Sequence, residues 1–239
     1  MQASKVMVSR SAGAGSVVGY NYVDMGYINY NGAWIEIGLN ASHRVGSHHV
    51  LFEGNYAFNA DNDQTHGNSI YHTYFRNHLR GIRAPFDNQA GGRIDDATQS
   101  PNAPKRSAGL MAYSYWMSFV GNVLGASGQM AGWVYEATNG KPAIWALGWD
   151  GAKPYPTDAR VAATTLRHGN FDYVTNTVKW DPSIPNHTLP NSFYLTQRPA
   201  FFDAGRGYTW PWVDPVGATK LYVLPAKARY DAGTPFTQP

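Results

Sequence analysis

An all-β chain wound as a parallel β-helix is the fold this sequence predicts, and three observations predict it. Short strand-like phrases close on asparagine, often with glycine before it: VVGYNYVD at 17–24, VLFEGNYA at 50–57, TYFRNHL at 73–79 and SFVGNVLG at 118–125. Asn55 and Asn77 stand 22 residues apart and Phe52 and Phe75 stand 23 apart, a spacing in the range of internal repeats that build solenoids. The strands are β-branched or aromatic and punctuated by Gly and Asn, with little helical periodicity anywhere. A repeat of this length with neither helix nor leucine signature points to stacked β coils rather than a leucine-rich horseshoe.

The elements follow in order. KVMVSRSAGAGSVVGYNYVD, 5–24, already reads as a coil, so the N-terminal sheet edge is expected to belong to a fragment of a longer protein or to be buried by self-association as a homo-oligomer. Residues 46–81 carry the two most regular coils. Residues 85–109, PFDNQAGGRIDDATQSPNAPKRSAG, are rich in Gly, Pro, Asp and Asn and read as a long loop thrown out of one coil. Coils resume at SFVGNVLG and continue less regularly through AIWALGWD, 143–150, and VAATTLRHGNFDYVTNTVKW, 161–180. From 181 onward the chain is dense in Pro and aromatics, and it reads as an irregular C-terminal cover over the last coils. The whole is one domain, 1–239, with coils to about 180 and the loop at 85–108. In such a fold strands stack at ~4.8 Å and inward side chains form ladders. Asn tolerates the left-handed turn, and stacked Asn amides can bond from coil to coil.

Composition narrows the function classes. The chain has 239 residues, 43% hydrophobic and 15% charged, which suits a folded domain with a sizeable core. There is no cysteine, which excludes disulfides, thiolate metal sites and a cysteine nucleophile. The net charge of +3 is spread without a basic run, which argues against nucleic acid as a partner. No apolar run approaches the ~18 residues that would span a bilayer, and the first residues lack the apolar core of a secretion signal.

The phrases SVVGYNYVDMGYI, HVLFEGNYAFNADNDQTHGNSIYHTYFRNHLRG and SYWMSFVGNVLG, with the tail LRHGNFDYVTNTVKWDP, HTLPNSFYLTQRPAFF and WPWVDP, are similar to bacterial right-handed parallel β-helix proteins of the pectate-lyase-like superfamily. The resemblance covers most of the chain and is to the C-terminal part of larger secreted proteins. It implies a right-handed helix, an extracellular location for the parent protein and a polysaccharide partner. The superfamily holds lyases, glycoside hydrolases, esterases and phage tailspikes, and the fold does not choose among them. The polygalacturonase motifs are not matched: THGN at 65–68 and IDD at 94–96 stand in the wrong order, with no Arg-Ile-Lys. Pectate lyases need a basic Arg or Lys on the strand face beside acidic calcium ligands, and the lysines here fall mostly in loops and tail.

Candidate residues come from strand alternation. If Phe58 points inward, Asn59, Asp61 and Asp63 face out, with Asp61 and Asp63 ~6.6 Å apart along the strand; Glu53 faces out because Phe52 faces in. Acids ~4.8 to ~6.6 Å apart bracket the ~5.5 Å of retaining and the ~6.5 Å lower limit of inverting glycosidase carboxyls. In GAWIEIGLN, Trp34 and Glu36 share a face, the pairing of a sugar platform with a carboxylate. His43, His48, His49, His66 and His72 make the same region histidine-rich without a metal-ligand spacing, so no metal site is expected; His66 and His72 are the candidates for acid, base or substrate contact. Arg76, Arg80 and Arg83 precede the loop, whose Asp87, Asp95 and Asp96 could overhang a groove.

The sequence thus points first to a polysaccharide-degrading glycoside hydrolase. Glu36, Glu53, Asp61, Asp63 and His66 are its catalytic candidates and Trp34, His72 and Arg76 its substrate contacts, with no cofactor. The alternatives are a calcium-assisted lyase of acidic polysaccharide using Asp61, Asp63 and Arg76, and a non-catalytic carbohydrate-binding or tailspike-like structural module.

Overall fold

Strands of two or three residues cannot hold a sheet alone, and here they are stabilised by stacking. The computed structural model describes residues 6–7, 14–23, 38–43, 45–82, 86–87, 93–94, 105–137, 141–150 and 153–233. The chain is mostly β, and its main pairings are parallel. Each pass contributes a strand to one sheet, a strand to a second and a strand to a third, so every sheet collects strands from successive passes. One sheet runs Val17–Gly19, Leu51–Glu53, Thr73–Phe75, Ser118–Val120, Leu166–His168. The next runs Tyr22–Val23, Tyr56–Ala57, His78–Leu79, Val123–Leu124, Asn170–Asp172. The last includes Leu39–Asn40, Ala60–Asn62, Arg106–Met111 and Ala143–Asp150. This is the arrangement a β-helix requires.

Register follows the asparagines. Phe52 pairs with Tyr74, and Tyr74 with Phe119, so the 22-residue asparagine spacing is the true repeat and the 23-residue Phe52–Phe75 spacing is one residue out of step. The three rings stack in the core at 4.9 and 4.4 Å. Phe75 lies on the other face, against Phe193 of the tail at 4.0 Å.

The expected asparagine ladder is present. Asn21 Nδ2 donates to Asn55 Oδ1, Asn55 to Asn77, Asn77 to Asn122 and Asn122 to Asn170, at 2.9–3.1 Å. Each of these acceptor oxygens also takes the backbone N–H of the asparagine before it in the ladder. The residue before each asparagine, Tyr20, Gly54, Arg76, Gly121 and Gly169, has positive φ, which explains the glycines at three of these corners.

Two expectations about the outer parts are corrected. Residues 106–108 of the expected loop belong to the buried strand Arg106–Met111, which pairs with Ala60–Asn62 and Ala143–Asp150 and whose Arg106 is neutralised by Asp61. The C-terminal segment does not sit on the last coils alone; it runs along the side of the stack over the positive-φ corners. Trp180 and Leu189 abut Gly169, Leu189 abuts Gly121, Trp212 Nε1 donates to Gly54 O at 2.6 Å, and Phe201 packs on Tyr20 at 5.4 Å. Side chains on Gly121 and Gly169 would stand where this segment packs, and one on Gly54 would meet the Tyr20 ring. The strand Thr177–Lys179 turns back antiparallel on Asn170–Asp172.

Candidate functional site

Trp34 and Glu36 lie outside the described residues, as do Arg83, Asp95 and Asp96. The other candidates are placed, and the open acidic face expected of them is corrected. Glu53 points away from the core as alternation requires, yet the tail covers it and it is fully buried. Tyr20 Oη donates to its Oε1 at 3.0 Å, Ser192 Oγ donates to the same oxygen at 2.5 Å, and the Phe193 N–H donates to Oε2 at 2.8 Å. Arg76 is buried beside it and grips tail carbonyls: Nε donates to Pro190 at 2.8 Å, Nη1 to Val213 at 2.6 Å and Nη2 to Leu189 at 3.2 Å. Both charged groups serve as clamps for the C-terminal segment.

Asp61 and Asp63 flank the inward Asn62, which accepts from Tyr74 Oη in the core, so both face out as expected, but both are buried. Asp61 forms an ion pair with Arg106, whose guanidinium also lies over the Trp149 ring at 4.3 Å. Asp63 holds His43 Nδ1 with both oxygens, at 3.0 and 3.1 Å. The two carboxylates thus engage different basic partners and form no catalytic pair across an open groove. The calcium of the lyase reading has no donor set here either: among the described residues no group of three or more His, Asp or Glu could hold a metal ion.

His66 is exposed and packs edge-on against His43 at 4.6 Å, so the fold does bring Asp63 and His66 to one place. His72 is a core link instead. Its Nδ1 accepts from Val50 N–H at 3.1 Å and its Nε2 donates to Ala41 O at 2.8 Å, and burial pulls its pKa down to about 4.

The surface carries a feature that the candidate list missed. His49, Tyr71 and Trp116 each stand six positions before a ladder asparagine, at the corner preceding a strand, so the passes align them in a column. Their rings stack at 5.1 and 5.3 Å with interplanar angles of 21° and 15°. Tyr71 is 41% and Trp116 37% exposed. Arg160, on the helix Ala159–Thr164, holds its guanidinium 5.1 Å from the Trp116 ring. The rings turn their faces to one another, so the exposed part of the column is largely ring edge.

All three residues have positive φ, 51°, 58° and 55°, where Gly15 serves one pass earlier with φ 93°. Left-handed backbone at a bulky residue costs roughly 1 kcal/mol or more each, and two ring contacts return roughly 0.5–1.5 kcal/mol each. Stacking therefore offsets the strain only in part, and glycine would have been the less strained choice. At the other positive-φ column, Tyr20 and Arg76 replace glycine and grip the tail; here the replacements face solvent. Counting back from the asparagines would have found this column in the sequence.

A second feature is a cleft of about 500 Å³ where the first pass meets the tail and the helix Pro225–Asp231, lined in part by Tyr20, Phe201, Tyr208, Asp203, Arg206 and Arg229. No family model, curated protein or solved structure matches the chain.

Proposed function

We propose that the chain is a right-handed parallel β-helix that acts as a carbohydrate-binding module, holding an extended polysaccharide along the His49–Tyr71–Trp116 column without cleaving it. The column is the observation that carries this reading. Aromatic rings are positive at their edges, so a strip of edges bearing imidazole, phenol and indole polar tips favours the oxygens of sugar hydroxyls. Its repeat of about 5 Å follows the strand stacking, so the strip is a linear array suited to a linear polymer. The three stacked sheets and the asparagine ladder support the solenoid. Engagement of Glu53, Asp61 and Asp63 in the scaffold favours binding over hydrolysis, the first expectation from the sequence. An extracellular setting, implied by the resemblance, belongs to the same proposal.

The test is electrophoresis of the full chain through gels containing neutral or acidic polysaccharides, with reducing ends and ultraviolet absorbance followed on the same samples. Retardation without product is expected, and Tyr71→Ala or Trp116→Ala should abolish it while the melting transition stays cooperative. Release of reducing ends would return the assignment to a hydrolase, absorbing products to a lyase, and unretarded migration in every gel would refute the binding module.

A further inference from the structure

The cleft between the first pass and the tail has the chemistry of an anion site with an apolar wall. Phe201 is 51% exposed and packs edge-on against Tyr20. Tyr20 offers mainly its ring there, because its hydroxyl donates to Glu53 and accepts from Trp210 Nε1 at 2.9 Å. Arg206 and Arg229 bring two positive charges to the lining against the one negative charge of Asp203. Asp203 turns Oδ1 to the Gly205 N–H at 2.8 Å, and its Oδ2 lies 3.8 Å from Arg206 Nε. That ion pair is exposed, with side-chain exposures of 72% and 54%, so it is worth little and yields readily to a competing anion.

The wall is held in advance of any ligand. Arg198 donates to the carbonyls of Phe202 and Tyr208, tying together the loop that carries Phe201, Asp203, Arg206 and Tyr208 and adding positive charge behind it. A volume of about 500 Å³ falls within the ~300–1,000 Å³ of small-molecule sites. It suits a compact ligand of one or two rings rather than the middle of a polymer.

We infer that this cleft binds a small carboxylate carrying a ring, with the ring seated against Phe201 and the carboxylate met by Arg206 and Arg229. Guanidinium groups match carboxylates in shape as well as charge. The inference is independent of the aromatic column and of polysaccharide binding. The ring can come from an aromatic acid or from an acidic sugar, which share this chemistry.

Four probes distinguish these sources when titrated into the full chain and followed by saturation-transfer NMR: benzoate and glucuronate, with benzamide and methyl glucoside as their neutral counterparts. At least one anion should bind ten-fold or more tightly than its neutral counterpart, benzoate identifying aromatic acids and glucuronate acidic sugars. Arg206→Gln and Arg229→Gln should each weaken that binding about ten-fold, and Phe201→Ala should weaken it as well. Arg206 is exposed, so its variant is expected to fold normally, with an unchanged melting curve as the control. Equal binding of neutral and anionic probes, no binding of either anion, or anion binding unchanged in the Arg206→Gln/Arg229→Gln double variant would overturn the inference.

Discussion

Phe193 gives its backbone N–H to Glu53 Oε2 at 2.8 Å, across 140 residues of sequence. This bond, with those from Ser192 and Tyr20, turns a carboxylate on a strand face into the anchor of the C-terminal segment. A buried carboxylate with three donors contributes much more than an exposed one, because hydrogen bonds to charged groups are worth ~1.5–3 kcal/mol and their loss strands the donors. Glu53→Gln should lower stability by roughly 2 kcal/mol in urea unfolding and leave polysaccharide retardation intact. Loss of retardation in a variant that remains folded would move Glu53 back into the functional site.

The asparagine ladder predicts graded costs along its length. Asn122 lies in its interior: its Oδ1 accepts from the Asn77 backbone and side chain, and its Nδ2 donates to Tyr74 O and Asn170 Oδ1. Asn122→Ala strands several buried groups at once, and about 3 kcal/mol or more should be lost at ~1–3 kcal/mol for each unsatisfied group. Asn21 is an exposed rung, so Asn21→Ala should cost about 1 kcal/mol or less. Equal midpoints for the two variants would show that the amides do not act as a ladder.

Burial sets the acid limb of stability. It pulls the pKa of His72 down to about 4 and of His78 to about 3, from 6.5. The unfolded chain therefore takes up protons that the folded chain refuses as pH falls below about 6.5. Stability contributed by the neutral rings is fully present above that pH and declines toward pH 4 for His72 and pH 3 for His78. For His72 the limiting loss is about 3 kcal/mol, at ~1.4 kcal/mol per pKa unit. Urea midpoints at pH 7, 5.5 and 4.5 should fall in that order, with a shallower fall in His72→Gln; parallel slopes for the two proteins would contradict the assignment.

Two glycines with the same backbone test how closely the Tyr20 ring, which carries part of the tail, is packed on its corner. Gly54 has φ +69° and a Cβ there would stand 2.4 Å from the Tyr20 ring, whereas Gly128 has φ +71° with nothing within 4 Å. Gly128→Ala should cost only its left-handed backbone, about 1 kcal/mol. Gly54→Ala adds a collision with the Tyr20 ring, on which Phe201 and Phe202 of the tail pack, so it should lower the melting temperature more than Gly128→Ala and speed proteolysis within 189–213. Equal shifts would mean that the Tyr20 ring is not packed against that corner.

The repeat was legible in the sequence because its causes are local. Strand-Gly-Asn phrases report the corner that must turn left-handed and the amide that stacks beside it, and the bare 22-residue interval stands once, between Asn55 and Asn77. The same logic marks His49, Tyr71 and Trp116, six positions before their asparagines, although an alignment on phenylalanines rather than asparagines hides them. Alternation likewise placed Glu53, Asp61 and Asp63 on outward faces correctly.

Exposure was not legible, since it depends on which distant chain passes overhead. Ser192 and Phe193 bury Glu53, Leu189, Pro190 and Val213 take the guanidinium of Arg76, and Arg106 takes Asp61 from 45 residues away. The sequence by itself determined the period, the corners and the ladder, because backbone sterics and amide stacking act within a turn and between equivalent turns. Only the tertiary structure decided that these charges are clamps and that the tail and first pass enclose a cleft, because desolvation and ion pairing are set by groups from 45 to 140 residues away.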